Sequence, residues 1–136
     1  MEKARLEKYA RLIAEAGLNV QKGQDVFITA ALDQPEFVSM VAEECYKLGA
    51  ARVVVDWDYQ PLQKIDMDYA EAETLGTLTP YQKARWDYYL EKIPCRLFIS
   101  SEDPDGLAGI DQDKMLKVQQ LRYKQIKKYR DELENK

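Results

Sequence analysis

Residues 25–57, DVFITAALDQPEFVSMVAEECYKLGAARVVVDW, decide the fold of this 136-residue chain. Two short apolar runs rich in β-branched residues, 25–30 and 52–57, enclose a segment in which apolar residues recur every three or four positions. Such runs predict strands buried on both faces, and the recurrence predicts an amphipathic helix entered at Asp33 and Pro35. This order predicts a βαβ unit with parallel strands and a right-handed crossover.

The segments on either side extend the alternation of strands and helices. Gly17 follows a helical pattern at the position of a left-handed C-cap residue, and Gly49 ends the second helix. Thr79, Pro80 and Gln82 form a capping-box pattern, which predicts a helix start. The predicted elements outside the βαβ unit are helices at 2–16, 60–79, 80–92 and 112–132 and a strand at 95–100. The predicted fold class is α/β, a three-layer arrangement of a mainly parallel sheet with flanking helices, in a single domain over residues 1–136.

Composition and charge argue against several classes of function. The net charge is −4 with a pI near 5.0, and basic residues alternate with acidic ones, so nucleic acid is not an expected partner. The most basic stretch, residues 122–130, runs directly into Asp131 and Glu132, which favours a solvated helix face over a phosphate-binding stripe. Apolar runs are too short to cross a bilayer, and the charged start is unlike a signal peptide. A cytoplasmic protein without a membrane partner is predicted.

Residues that commonly carry catalysis are scarce. The sequence contains no histidine, which removes the usual neutral-pH base, the commonest metal ligand and every Ser/His or Cys/His catalytic pair. Cys45 and Cys95 are far apart and in apolar contexts, which indicates reduced structural thiols instead of a zinc or redox site. Neither G-x-G-x-x-G nor G-x-x-x-x-G-K-[ST] occurs, which argues against a phosphate cradle. We therefore assign no catalytic, cofactor-binding or metal-ligating residue from these patterns.

Four carboxylates remain as candidate site residues. Asp56 and Asp58 end the second predicted strand, and Glu102 and Asp103 follow the third. Ligands of open α/β sheets bind outside the carboxyl ends of the strands, so these acids could converge on a hard cation such as Mg²⁺ or on an amine. Acids in loops are also commonly just solvated. The alternatives are a stand-alone α/β module that binds a small cationic or amine ligand, and a solvated sheet edge.

An aromatic cluster lies on the helix predicted at 80–92. Trp86, Tyr88 and Tyr89 follow Tyr81 by one to two turns. The cluster could form a stacking platform for a ring-shaped ligand. Helical spacing favours packing in a core or an interface.

Five segments together resemble a known family of enzymes. They are LEKYA at 6–10, GLNVQKGQDV at 17–26, AEECYKLGA at 42–50, VVVDW at 53–57, and 100–111 with its DP and GID words. In order and spacing these segments resemble the thermophilic-type metallo-aminopeptidases, the twenty-ninth family of metallopeptidases. The likeness extends over nearly the whole chain.

The resemblance implies that this chain is the amino-terminal, non-catalytic part of a longer metal-dependent aminopeptidase, which removes amino-terminal residues from peptides. In that family, glutamates, histidines and an aspartate of the carboxyl-terminal domain hold two divalent metal ions, Zn, Co or Mn, near a catalytic tyrosine. Nothing in this sequence matches those ligands. We therefore expect an inactive fragment that meets peptide substrate only through a catalytic domain outside it, and a parent enzyme that is a homodimer.

Overall fold

The computed structural model describes residues 2–100 and 108–135. These residues group into two compact units. The first unit contains the residues up to Asp58 together with those from Pro94 to Ser100, and the second contains Tyr59–Ile93 and residues 108–135. The single domain over residues 1–136 stays a prediction.

The first unit is built on a three-stranded parallel sheet with helices from the same part of the chain. The strands lie in the order β2-β1-β3, so β1 is central and pairs with both neighbours. The elements are helix α1 (Glu2–Leu12), a π-helical turn (Ile13–Gly17), β1 (Asp25–Ala31), α2 (Pro35–Lys47), β2 (Arg52–Asp58) and β3 (Cys95–Ile99). The predicted α/β class, the parallel sheet with flanking helices and the βαβ unit are confirmed.

The core of the first unit forms where one face of β1 meets the helices. Val26, Ile28 and Ala30 are fully buried on alternate positions of β1, as the period of two in a strand requires. Val41 and Cys45 of α2 lie in the same buried cluster, one helical turn apart. Full burial of a valine or isoleucine side chain stabilises the folded state by about 1.5–3 kcal/mol. This cluster therefore holds α2 against β1.

The second strand is less buried than predicted. Val53, Val54 and Val55 are half-buried, and Trp57 is exposed. The physical reason is position, because β2 pairs only with β1 within residues 2–100 and 108–135 and so forms an edge of the sheet. The prediction of burial on both faces is therefore wrong for β2, and for β1 it holds on one face only, since Phe27 and Thr29 are half-buried.

The first helix ends differently from the prediction. Gly17 does not adopt a left-handed conformation; it closes the π-helical turn, in which the Leu18 N–H donates to the Ile13 carbonyl at 2.8 Å. The left-handed residue is Asn19, with φ 50°. Asparagine tolerates this region better than most residues, so glycine was not required there. Gly49, by contrast, has φ 100° and ends α2 as predicted.

The second unit is helical. The weak pattern over 60–79 forms two helices, and the capping box is confirmed by the Thr79 N–H donating to Gln82 Oε1 at 2.9 Å and the Gln82 N–H to Thr79 Oγ1 at 3.4 Å. The helices are α3 (Gln60–Tyr69), α4 (Ala72–Gly76), α5 (Pro80–Lys92) and α6 (Gln112–Glu134).

Close packing of α6 on α4 organises the second unit. Gln125 accepts a hydrogen bond from the Leu78 N–H at 2.8 Å and donates to the Gly76 carbonyl at 2.7 Å. A methyl group at Gly76 would lie 2.6 Å from Cβ of Leu121. Glycine is therefore needed at residue 76 for close approach and not for its backbone freedom.

Candidate functional site

The two carboxylates at the end of β2 lie on one face of the sheet. Asp56 and Asp58 are two residues apart, so their side chains leave the strand on the same side. They are in register with Thr29 and Ala31 of β1. Asp56 is half-buried and Asp58 exposed, and both already interact with other groups, so neither is a free carboxylate.

The other two candidate residues cannot be compared with this pair. Glu102 and Asp103 lie outside the described residues. Convergence of four carboxylates at the carboxyl end of the sheet therefore stays a prediction.

The described residues do not fit the metal pair that the resemblance implies. Within residues 2–100 and 108–135, no group of three or more histidine, cysteine, aspartate or glutamate side chains could hold a metal ion. The sequence offers no imidazole either. Borderline ions such as Zn²⁺ and Co²⁺ favour imidazole and thiolate donors, whereas isolated carboxylates suit Mg²⁺ or Ca²⁺. No catalytic step is therefore assigned to this chain.

The two cysteines are free thiols in the first unit. Burial first, and then the nearby Cys95 and Glu44, together raise the pKa of the Cys45 thiol to about 11. Burial also raises the pKa of Cys95, whose Sγ–H donates to the Leu18 carbonyl at 3.4 Å. Both groups are therefore protonated at neutral pH, and neither is an activated nucleophile.

Two of the four aromatic residues of the predicted cluster on α5, Trp86 and Tyr89, pack inside the second unit. The Trp86 ring lies edge-on to Tyr89 at a centroid distance of 5.4 Å and stacks on Tyr129 of α6 at 5.8 Å. Tyr89 and its neighbour Tyr129 are buried, so the packing interpretation is confirmed for Tyr89 and Trp86. Tyr88 is half-buried. Tyr81 is 73% exposed and remains outside this cluster.

One buried charged residue was missed by the sequence analysis. Glu44 on α2 is only 7% exposed, and its carboxylate accepts from Arg11 Nε of α1 at 3.2 Å and lies 3.5 Å from Lys47 Nζ. The i, i+3 spacing to Lys47 is a visible signal, but Arg11 lies 33 residues away in the chain. The contact joins α1 to α2 and is structural.

A cavity between α1 and the start of α2 was also missed. Its volume is about 550 Å³. No signal for it is present in the sequence, because the residues that line it come from two helices that are far apart in the chain. The lining residues are Leu6, Tyr9, Asp33, Gln34, Pro35, Glu36 and Phe37.

Comparison with known proteins decides the family. The family model described as thermophilic metalloprotease (M29) matches residues 2–136. The chain belongs to this family. The resemblance stated from the sequence is thereby confirmed for the M29 chain.

Relatives of the M29 chain are considerably longer. Aminopeptidase PepS of Streptococcus thermophilus is 35% identical over 113 residues, which are 83% of this chain and 27% of the relative. Aminopeptidase AmpS of Bacillus subtilis is 28% identical over 131 residues, or 96% of this chain and 32% of the relative. The M29 chain thus spans about a third or less of these two relatives.

A solved structure supports the same assignment. Wild-type AmpT from Thermus thermophilus matches with a TM-score of 0.84 and 28% sequence identity over 98% of this chain and 34% of that protein. The α/β fold of the M29 chain is therefore that of the corresponding part of AmpT. Among helices in the described part of the chain, none is both long and apolar enough to traverse a bilayer.

Proposed function

We propose that this chain is the amino-terminal, non-catalytic domain of a metal-dependent aminopeptidase that removes amino-terminal residues from peptides. The observation that carries the proposal is the match of 98% of the chain to 34% of AmpT. Membership in a metalloprotease family and the aminopeptidase names of the relatives support it.

The role of this domain in such an enzyme is structural. The Val26–Ile28–Ala30 core and the Gln125 hydrogen bonds give each unit a fixed shape. The parent enzyme would bind its divalent metal ions, Zn²⁺, Co²⁺ or Mn²⁺, and its peptide substrate through residues outside this chain. We further propose a cytoplasmic homodimer that binds neither nucleic acid nor membrane, in line with the interleaved charges and net charge of −4.

A chimera tests the proposal. The matching region of Thermus thermophilus aminopeptidase T, which is 32% identical to this chain over 117 residues, is replaced by residues 1–136. We expect the chimera to hydrolyse aminoacyl-p-nitroanilides with added Zn²⁺, Co²⁺ or Mn²⁺. A second chimera with Val41→Asp, which places a charge in the buried cluster, controls for the need for a folded domain.

The isolated chain is the second half of the test. We expect it to release no p-nitroaniline under the same conditions. Turnover that survives repurification and scales with the concentration of the isolated chain would contradict the proposal. A chimera that unfolds cooperatively and binds metal but has no activity would also count against it.

The carboxylates Asp56 and Asp58 support a second candidate function, a binding site for a small cation or amine. Their common face at the carboxyl end of β2 favours it. Calorimetric titration with Mg²⁺ would give heat that Asp56→Ala and Glu102→Ala abolish. Heat unchanged in both variants would show that Asp56 and Glu102 do not bind the cation.

A further inference from the structure

The cavity between α1 and α2 lies beside the segment that leaves the central strand. Asp33 and Gln34 connect β1 to α2, and Pro35, Glu36 and Phe37 form the first turn of that helix. Ligands of open α/β sheets bind outside the carboxyl ends of strands, and this segment leaves the carboxyl end of β1. We call the space lined by these residues with Leu6 and Tyr9 the Tyr9 cavity.

Two aromatic rings form one wall of the Tyr9 cavity. The rings of Tyr9 and Phe37 lie 5.9 Å apart with an interplanar angle of 35°. Tyr9 is 58% exposed, so much of its ring is open to solvent. Leu6 precedes Tyr9 by three residues on α1 and lies on the same side of that helix. The wall therefore offers apolar surface to the stem of a ligand and a π-face to a flat group.

The charged side chains of the cavity are acidic. Asp33 and Glu36 are the ionised residues among those that line it. Asp33 already interacts with another group, so the exposed Glu36 carries the charge argument. The N-terminus of α2 contributes roughly half a positive charge. One full carboxylate outweighs that half charge, and a second adds to the difference, so the cavity favours a cation.

We propose that the Tyr9 cavity binds the guanidinium group of an arginine side chain presented by a peptide. Guanidinium is planar, stacks on aromatic rings and pairs with carboxylates through its N–H groups. It therefore matches both the aromatic wall and the acidic side chains of the cavity. The aliphatic stem of the arginine packs against Leu6 and Pro35. The proposal goes beyond the function proposed above, does not depend on it, and concerns residues other than Asp56 and Asp58.

The test uses the 136-residue chain, labelled with ¹⁵N, and N-acetyl-L-arginine amide as the probe. We expect saturable shifts of the backbone amide signals of Asp33, Gln34, Glu36 and Phe37, with a millimolar dissociation constant. N-acetyl-L-citrulline amide has nearly the same shape without the charge. We expect it to bind at least about five-fold more weakly, from the loss of one cation–π and one charge-assisted contact.

Two exposed residues provide the variants, so that loss of folding does not complicate the result. Glu36→Gln and Tyr9→Leu should each weaken arginine binding by about two- to five-fold. Glu43→Gln is the matched control, because Glu43 is an exposed carboxylate on the same helix and does not line the cavity. We expect it to bind like the unmodified chain.

Any of three results would overturn the proposal. They are shifts of the same signals by citrulline amide at the same concentrations, shifts by arginine amide only of signals elsewhere, and binding by Glu36→Gln as tight as that by Glu43→Gln. Each would show that the cavity does not recognise the guanidinium charge.

Discussion

Replacing Gly76 by alanine tests the close approach of α4 and α6. The added methyl carbon would lie 2.6 Å from Cβ and 2.9 Å from Cδ1 of Leu121, distances that real contacts of this kind do not reach. One of the two helices must move. Movement of α4 would also disturb the hydrogen bond from Gln125 to the Gly76 carbonyl.

The size of the effect follows from two opposing contributions. Overpacking of a well-packed contact costs about 1–3 kcal/mol. Alanine is the better helix former by about 0.8–1 kcal/mol, although Gly76 is the last residue of α4 and recovers only part of this. We therefore expect Gly76→Ala to lower the free energy of unfolding by about 1–2 kcal/mol.

Urea unfolding followed by tryptophan fluorescence is a suitable assay, since Trp86 stacks on Tyr129 of α6 in the same unit. Trp57→Phe removes the second tryptophan signal. Gly17→Ala is the matched control, because a methyl group there meets nothing within 4 Å and the backbone φ is not positive. It should be neutral or slightly stabilising. Equal stability of the two alanine variants would refute the reasoning.

Three further predictions concern a buried charge, a thiol and a helix cap. Glu44→Ala should lower the free energy of unfolding by about 1 kcal/mol, a loss kept small because solvent screens the charges of its partners Arg11 and Lys47. The control Glu43→Ala, at an exposed carboxylate, should change the free energy of unfolding by less than about 0.5 kcal/mol. Equal urea midpoints of the two variants would contradict this prediction. Because the folded-state pKa of Cys45 is raised from 9.0 to about 11, its contribution to stability is complete below pH 9 and is lost as pH rises towards 11. The unmodified chain should therefore lose stability more steeply over this range than Cys45→Ala, and parallel pH profiles would exclude the effect. Thr79→Ala should cost about 1 kcal/mol in thermal unfolding and Thr79→Ser much less, since serine keeps the oxygen that accepts from Gln82; similar losses would show that the hydroxyl is not the cap.

Local chemistry explains which parts of the fold could be predicted from the sequence. The start of α5 follows from Thr79 and Pro80, and the end of α2 follows from Gly49, because each signal acts within a few residues. The burial of β2 was misjudged because it depends on strand order, which a run of valines does not encode. The ion pair of Arg11 with Glu44 was missed for the same reason, since only tertiary packing brings the two together.

In the candidate site too, local features could be predicted from the sequence and features that depend on tertiary packing could not. The period of two in a strand predicts that Asp56 and Asp58 share a face, and the structure is in agreement. The Tyr9 cavity could not be predicted, because it requires the packing of α1 against α2 to bring Tyr9 to Phe37. Residues that act together across 28 positions leave no periodic signal in a single sequence.

Because of the π-helical turn at Ile13–Gly17, the insertion of a residue at the end of the first helix has a different structural consequence from the deletion of one. A π-turn is an α-helix that holds one additional residue. Deleting one residue here would restore α-helical hydrogen bonding and leave the residues that follow in nearly the same orientation, because the π-turn accommodates the additional residue locally. A further insertion would instead rotate everything that follows by about 100° relative to the helix, because each residue turns an α-helix by that angle. Val20 would leave the core, and the Leu18 carbonyl would turn away from the Cys95 thiol. An insertion at this turn therefore has to be compensated before β1 begins at Asp25, whereas the deletion of one residue does not.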